Sequence, residues 1–318
     1  MREAGLSAVL IYTSFARPSA VAWLTHFVPY WNEGLLVVLS SGAPVLLAAF
    51  SKRMHTWIRS VCHVGEVQSV SQLGRAAADL LQRRFPGPSR IGVVELDALP
   101  WPVAEPLLDS RTATLADATS LFTAIRQPAD DTEIGLAQRA ADIAVKAFGS
   151  IPPGARRASE VLSAIERSAR LDGAEEVLLR LAPDLAADTA LRRFEGDATL
   201  GKRYAVELAL AYKAAWVRVT RCVSKETPQS WRDAQTWASD WARRPGARPA
   251  ARPPAGKVVS WSVEACIGSQ PLSVIASSEA IHTDIPAGTL ACLSIRLDLT
   301  DGPWLSAAPI VVGDRVLV

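Results

Sequence analysis

The stretch GKRYAVELALAYKAAWVRVTRC, residues 201–222, decides the fold of the second half of the chain. Apolar and polar residues alternate along it with a period of two, which predicts two neighbouring β-strands with one buried face. The apolar positions of the first strand are Tyr204, Val206, Leu208 and Leu210. We expect the face that they share to cover a core. The stretch also places Glu207 on one strand and Arg218 on the other. The role of these two charged residues depends on the rest of the sequence.

The composition is that of an ordinary globular protein. The chain has 318 residues, of which 49% are hydrophobic and 21% are charged, so it can bury a substantial core and two domains are expected. Its 34 basic and 32 acidic residues give a formal net charge of only +2. This balance gives no indication of nucleic acid or an acidic membrane surface as a partner.

The cysteines and the apolar runs favour a reducing compartment and no membrane partner. Cys62, Cys222, Cys266 and Cys292 form no CxxC pair, which argues against a zinc ribbon or a thioredoxin-like motif and favours reduced, buried side chains. The N-terminal apolar run is too short for a secretory signal, and no later run reaches the ~20 residues that a membrane span requires. We therefore expect a cytoplasmic protein.

The first third of the chain alternates between strand and helix patterns. LSAVLIY at 6–12 and RIGVVEL at 90–96 are short apolar runs typical of buried strands, and SVSQLGRAAADLLQRRF at 69–85 predicts a helix with a polar start. Strands and helices that alternate at this spacing predict a compact α/β domain. We place it at residues 1–122.

Two amphipathic segments follow this domain. Residues 120–151 predict one long helix entered through Pro128 and Asp130, with acidic residues in its first turn, where they suit the helix dipole. Residues 152–183 predict a second helix after a proline-glycine turn, with Ser159 as its N-cap.

Strand patterns dominate from residue 201 onward, but a tryptophan-rich helix interrupts them. In WRDAQTWASDWARR, residues 231–244, Trp237 and Trp241 lie four positions apart on one helix face. Core packing is the first interpretation of these rings, and a subunit interface, where tryptophan is enriched, is the alternative. The basic, proline-rich run at 242–257 predicts a solvated loop.

Three motifs in this order give the chain a resemblance to a known family. They are the progression at 5–50, the segment LFTAIRQPADDTEIGLAQRAADIA at 121–144 and the segment IPPGARRASEVLSAIERSARLDGAEE at 151–176. Together they resemble the creatinase, prolidase and Xaa-Pro aminopeptidase family over nearly the whole length. The resemblance implies an N-terminal creatinase-like α/β domain, residues 1–122, and a C-terminal α+β pita-bread domain, residues 123–318, which is trimmed here.

Members of this family hold two divalent metals with two aspartates, one histidine and two glutamates. The corresponding positions of this sequence carry other residues: Glu207, Arg218, Ala265, Ser294 and Gly313. The family's further catalytic histidine would fall near Arg192 or Arg193. None of the histidines, which are His26, His55, His63 and His282, lies at a ligand or catalytic position.

The arginine at a ligand position is the most consequential of these departures. A guanidinium ~4 Å from a dication costs on the order of 8 kcal/mol at an effective dielectric constant near 20, twice the unit-charge value. We therefore expect no dinuclear metal centre and no cofactor.

Three interpretations of the charges in this cleft stay open. The first is a salt bridge between Arg218 and Glu207 across the two strands. The second is an anion site built from Arg192, Arg193, Arg218 and Arg221. The third makes Glu207 a lone general base, which requires a partner acid. Cys266, beside the position of the missing histidine, has no histidine near it in sequence to activate a nucleophilic thiol.

The leading functional hypothesis is a non-catalytic pseudo-hydrolase subunit. As the resemblance implies, relatives dimerise so that the first domain of one protomer borders the active site of the other. Such a subunit would pair with a second copy or with an active paralogue and shape its active site. The residues expected to rim the partner's pocket are Trp23, His26, Phe27, Tyr30 and Trp31. The alternatives are a metal-free, creatinase-like C–N hydrolase that relies on Glu207, and a small-anion binding protein with an arginine-lined cleft.

Overall fold

The computed structural model describes residues 1–29, 31–110, 112–244, 256–265, 273–278 and 285–318. The described chain forms two compact units. The first unit is Met1–Arg126, and the second begins at Gln127. The sequence patterns place the corresponding division between residues 122 and 123.

The first unit is built around a six-stranded sheet. Its strands are β1 (Ala8–Thr13), β2 (Gly34–Leu39), β3 (Val45–Ala48), β4 (Glu66–Ser69), β5 (Ser89–Val93) and β6 (Ala113–Asp117). Their order in the sheet is β4-β3-β2-β1-β5-β6. Strand β1 runs parallel to β5 and antiparallel to β2, so the sheet is mixed.

Helices cover both faces of this sheet. They are α1 (Ser19–Thr25), α2 (His55–Val61), α3 (Leu73–Arg84), α4 (Trp101–Leu108) and α5 (Thr119–Arg126). Along β1, Val9 and Ile11 pack with α1, α2 and α5, whereas Ala8 and Leu10 pack with α3 and α4. Because both faces are buried, the strands are continuous apolar runs rather than alternating ones.

The second unit combines a large antiparallel sheet with three helices. Its elements are α6 (Asp131–Gly149), α7 (Ala158–Leu171), β7 (Glu176–Ala182), β8 (Arg203–Tyr212), β9 (Ala215–Ser224), α8 (Gln229–Ala242), β10 (Gly256–Ala265), β11 (Ser273–Ser277), β12 (Leu290–Leu299), β13 (Gly302–Val311) and β14 (Arg315–Val316). The sheet order is β11-β10-β12-β13-β9-β8-β7, and β14 pairs with β13.

The single long helix predicted for residues 120–151 is wrong. Helix α5 ends at Arg126, and α6 begins at Asp131. Pro128 lacks a backbone N–H and restricts the residue before it, so a helix does not run through this position. Asp130 is the N-cap of α6, and its Oδ1 accepts a hydrogen bond from the backbone N–H of Glu133 at 2.8 Å.

One face of the large sheet is apolar and carries the helices. The side chains expected from the alternating pattern, Tyr204, Val206, Leu208 and Leu210, pack against α6 and α7 in one core. The predicted strand pair is therefore confirmed as β8 and β9, which pair from Arg203 opposite Ser224 to Tyr212 opposite Ala215.

Helix α8 packs its tryptophans into the same unit. Trp231 and Trp241 are buried, and the Trp241 ring lies 5.4 Å from the ring of Trp261 on β10. Trp237 is half-buried and contacts Trp241 edge to face. Core packing is therefore the observed role of Trp231 and Trp241. None of the helices in the described ranges has the length and apolar character that a membrane span requires.

Candidate functional site

The strand register of the second unit aligns six residues, five of them polar, in one row across six strands. Directly paired residues of neighbouring antiparallel strands point to the same face of a sheet. The row runs from β10 to β7 as Ser262, Ser294, Ala307, Thr220, Glu207 and Arg180. Glu207 alternates with the core residues Val206 and Leu208. The row therefore lies on the face opposite α6 and α7, which we call the polar face.

Arg218 lies at the centre of the polar face. It is two residues from Thr220 and therefore points to the same side of the sheet. Its Nη2 donates hydrogen bonds to Glu264 Oε1 at 2.6 Å and to Ser294 Oγ at 2.8 Å. Its Nε lies 3.9 Å from Glu207 Oε2. One guanidinium thus bridges carboxylates from β8 and β10.

Both carboxylates have further donors. Glu207 accepts from Arg180 Nη1 at 3.3 Å and from the Thr220 hydroxyl at 3.4 Å. Glu264 accepts from the Ser262 hydroxyl at 3.2 Å. The negative charges of the polar face are therefore compensated by protein groups.

Little of this cluster is exposed to water. The exposed fractions are 18% for the Arg218 side chain, 12% for that of Glu207 and 14% for that of Glu264. Charged groups this far from water interact more strongly than surface pairs, and removing one partner of such a pair destabilises a protein.

The charges around Arg218 also shift its pKa. Burial acts to lower the pKa, but the hydrogen bond to Glu264 and the charges of Glu264 and Glu207 outweigh burial, so the pKa of Arg218 is raised above its ordinary value. The neighbouring Cys292 contributes no charge at neutral pH, because burial raises the pKa of its thiol and keeps it protonated. We therefore attribute the shift to the two glutamates.

A cavity of about 500 Å³ opens on the polar face. Glu207, Arg218, Glu264, Ser294 and Arg296 all contribute to its lining. Two arginines, two glutamates and several hydroxyl groups therefore share one site within a single unit.

The structure brings three of the five predicted vestigial positions together. Glu207, Arg218 and Ser294 converge at the cavity. Ala265 is buried at the end of β10, opposite Ala291. Gly313 lies in the turn between β13 and β14 with a φ of 76°, a conformation that favours glycine.

The residues of the cavity do not fit a pair of divalent cations. Such a centre needs several anionic oxygens and commonly an imidazole. Here a permanently charged guanidinium occupies the space between the two carboxylates. Within the described ranges, no three or more His, Cys, Asp or Glu side chains are placed to hold a metal ion.

The structure does not bring the four predicted anion-binding arginines together at the cavity. Arg221 is paired with Val206, so it lies on the helix-covered face, where its guanidinium stands 5.8 Å from the Phe148 ring. Arg192 makes an ion pair with Asp188 at 2.9 Å. The alternation along β9 already separates positions 218 and 221, because they differ by an odd number of residues.

Sequence reasoning found the Arg218–Glu207 pair but missed the closer partner. The contact to Glu264 is shorter, 2.6 Å against 3.9 Å for Glu207. The available signal was the alternation in β10, which puts Glu264 on the same face as Ser262.

The predicted rim residues of the first unit have different environments. Phe27 is 1% exposed and belongs to the core, and Trp23 is half-buried with its ring edge to face with Phe122. His26 is exposed beside His63, and Trp31 is 74% exposed. The remaining predicted rim residue, Tyr30, lies outside the described residues, as do Cys266, His282 and residues 245–255 of the basic run.

Comparison with known proteins identifies the fold. No protein-family model and no curated protein matches the sequence. The prolidase from Pyrococcus horikoshii aligns with 14% identity and a TM-score of 0.71 over 100% of this chain and 95% of that one. The X-Pro aminopeptidase from Thermotoga maritima gives 14% identity and a TM-score of 0.68 over 98% and 95% of the two chains. The Xaa-Pro dipeptidase from Bacillus anthracis aligns with 15% identity and a TM-score of 0.67 over 99% of this chain and 94% of that one.

Structural similarity at 14–15% sequence identity shows that the fold is shared. The chain has the pita-bread architecture of prolidases and Xaa-Pro aminopeptidases over its full length, with a mixed α/β unit followed by a unit with a large antiparallel sheet. The fold class predicted from the three motifs is confirmed.

Proposed function

We propose that this chain is a non-catalytic protein of the pita-bread fold, a pseudo-hydrolase whose polar face has lost the metal chemistry of the peptidases. One observation carries the proposal: the Arg218 guanidinium lies between Glu207 and Glu264 and compensates both carboxylates. A fixed cation thus stands among the acidic groups that a metal centre would require.

Electrostatics supports this proposal. A dication ~4 Å from the guanidinium would be opposed by about 8 kcal/mol at an effective dielectric constant near 20. The described lining of the cavity includes Ser294 and Thr220 and contains no histidine. Hydroxyl groups are weaker ligands for divalent metals than carboxylates or imidazoles. These groups neither draw two cations into the cavity nor supply the imidazole of a hydrolytic base.

The metal-free hydrolase is less well supported by the same geometry. Glu207, its single catalytic candidate, accepts hydrogen bonds from Arg180 and Thr220 and lies beside Arg218. Its oxygens are therefore already engaged by protein groups, which leaves no described oxygen directed at a substrate proton. General-base catalysis also requires a partner acid, and Glu264 is itself bound to Arg218.

Metal analysis and an assay test the proposal together. The protein is incubated with Mn²⁺, Co²⁺ or Zn²⁺ in turn, washed, analysed for metal and assayed with an Xaa-Pro dipeptide. We expect less than one bound metal per chain and no turnover. Arg218→Asp, which replaces the cation with a third carboxylate, should gain metal affinity relative to the parent protein. Stoichiometric metal together with turnover in the parent protein would refute the proposal.

Pairing with a second copy or with an active paralogue is part of the same proposal. It is supported by the exposure of Trp31 in the first unit, where His26 is also exposed, since tryptophan is enriched at the hot spots of protein–protein interfaces. Native mass spectrometry of the protein, alone and after mixing with a catalytic relative, tests it. We expect a dimer or a mixed complex that Trp31→Ala weakens, and a strict monomer in both samples would contradict the pairing.

A further inference from the structure

Arg296 stands apart from the other charged residues of the polar face. It lies on β12 between Ser260 and Leu305 in the strand register, and it points to the same side as Ser294, two residues away. It is exposed and contributes to the cavity lining. Among the described residues no ion pair or hydrogen bond to its guanidinium is formed.

The neighbouring charges are already paired. Glu207 is held by Arg180 and Arg218, and Glu264 is held by Arg218 and Ser262. No described carboxylate of the cavity is therefore left to neutralise Arg296. Together with Arg180, which pairs with Glu207 from outside the cavity lining, three arginines face two glutamates, so the unpaired positive charge lies at Arg296 and attracts an anion there.

Further hydrogen-bond donors face the same space. The Ser260 side chain lies directly across from Arg296, and no described group pairs with its hydroxyl. Ser294 accepts from Arg218, and the other described contact of its hydroxyl is a long one, 4.0 Å to Cys292 Sγ, so the O–H group can turn to a ligand. The Arg218 Nε is buried and has no hydrogen-bond acceptor among the described residues. This donor is directed at Glu207 Oε2, 3.9 Å away, and is not part of the open cavity surface.

Apolar side chains complete the lining. Leu305 on β13 pairs directly with Arg296 on β12, and Leu191 and Val274 also line the cavity. A site of a few hundred Å³ that combines apolar walls with a small number of placed polar groups is typical of small-molecule sites. The ligand should therefore have an anionic end and an apolar body.

We propose that this cavity binds a small organic carboxylate, with the carboxylate on Arg296 and the Ser260 and Ser294 hydroxyls and the apolar body against Leu305, Leu191 and Val274. This inference rests on the proposed function, since a metal centre in the same cavity would impose a different ligand. It requires no chemical step.

Calorimetric titration of the full chain tests the inference. The probe is 3-phenylpropionate, and the matched neutral control is 3-phenylpropionamide, which has the same body without the charge. Inorganic phosphate tests whether any anion is sufficient. We expect 3-phenylpropionate to bind at least tenfold more tightly than either control, because a hydrogen bond to a charged group is worth about that factor.

Two variants connect the binding to the cavity. Arg296→Gln removes the unpaired charge at an exposed position and should weaken 3-phenylpropionate binding by about tenfold or more. Arg83→Gln removes an exposed arginine of α3, in the other unit, and should leave the affinity unchanged. Circular dichroism spectra identical to that of the parent protein show that both variants are folded.

The outcomes separate this inference from the proposed function. Equal binding of the amide, tighter binding of phosphate, an unchanged Arg296→Gln variant or no binding at millimolar concentration would overturn the carboxylate assignment, even in a protein that binds no metal. Stoichiometric metal with peptidase turnover would instead overturn the proposed function.

Discussion

A single residue determines what the polar face can do. Arg218 brings a positive charge to a place where two carboxylates and a serine hydroxyl converge. The side chain is mostly buried, so its interactions are only weakly screened by solvent. The arrangement is stable only while all three charged members are present, because each would otherwise be a poorly solvated ion.

Removing the guanidinium should therefore destabilise the protein. We expect Arg218→Met to lower the free energy of unfolding by about 3 kcal/mol, because Glu207 and Glu264 lose their shared counter-charge in a poorly hydrated site. Urea denaturation at neutral pH measures this loss. Arg180→Met is the matched control: Arg180 also pairs with Glu207, but its side chain is 59% exposed, and the expected loss is about 0–1 kcal/mol. Equal losses in the two variants would contradict the central role of Arg218.

The N-terminus of helix α7 is capped by a residue that is distant in sequence. The sequence predicts Ser159 as the N-cap of α7, but the helix begins at Ala158. Asp197, in the loop before β8, accepts a hydrogen bond from the backbone N–H of Ser159 at 3.0 Å and pairs with Arg157 at 2.7 Å. The backbone hydrogen bond from Ser159 and the hydrogen bond from Arg157 lower the pKa of Asp197 from 3.8 to about 2.

This cap should make α7 sensitive to acid. Because the folded pKa of Asp197 is depressed, its contribution to stability is present above pH 3.8 and is lost as the pH falls towards 2. We expect Asp197→Asn to lower the urea midpoint at neutral pH, and the difference from the parent protein to shrink as the pH approaches 2. NMR titration of the carboxyl group measures the pKa directly. A difference that grows on acidification would contradict this assignment.

At the scale of single elements, periodic patterns in the sequence predict the strands and the face on which each side chain lies. The alternation in residues 201–222 predicts β8 and β9 and the face that each side chain occupies. It does not predict Asp197 as a cap or Glu264 as the partner of Arg218, because both contacts join residues that are far apart in sequence. The gap between α5 and α6 at Pro128 could be predicted from the local sequence, because a helix usually ends at or before the residue that precedes a proline.

On the scale of the whole molecule, each unit has a hydrophobic core of its own. The cores of the first unit are made by residues between Leu6 and Phe122, and that of the second by residues between Ala137 and Leu317. The resemblance at the sequence level was enough to predict both architectures. Three cavity residues, Glu207, Arg218 and Ser294, were predicted, but Glu264 and Arg296 were not, because the register of the strands decides which further side chains meet there.

Separate cores predict that the first unit folds alone. A fragment spanning Met1–Arg126 should give a cooperative thermal transition and a circular dichroism spectrum with both helix and strand contributions. Leu10→Ala in this fragment, at a fully buried position of β1, should cost about 3 kcal/mol because it removes core contacts and leaves a cavity. Non-cooperative melting of the parent fragment would show that the first unit depends on the rest of the chain.

The ion cluster on the polar face also restricts how the large sheet can assemble. Successive side chains of a strand alternate between faces, so a slip of β9 by one residue would turn Arg218 towards the helices and press its charge into the core formed by α6 and α7. The correct alignment alone joins Arg218 to Glu207 and Glu264, residues on strands that lie on either side of it in the sheet order. The buried guanidinium therefore adds to the free-energy penalty that exposing Val217 and Val219 already imposes on a strand displaced by one residue.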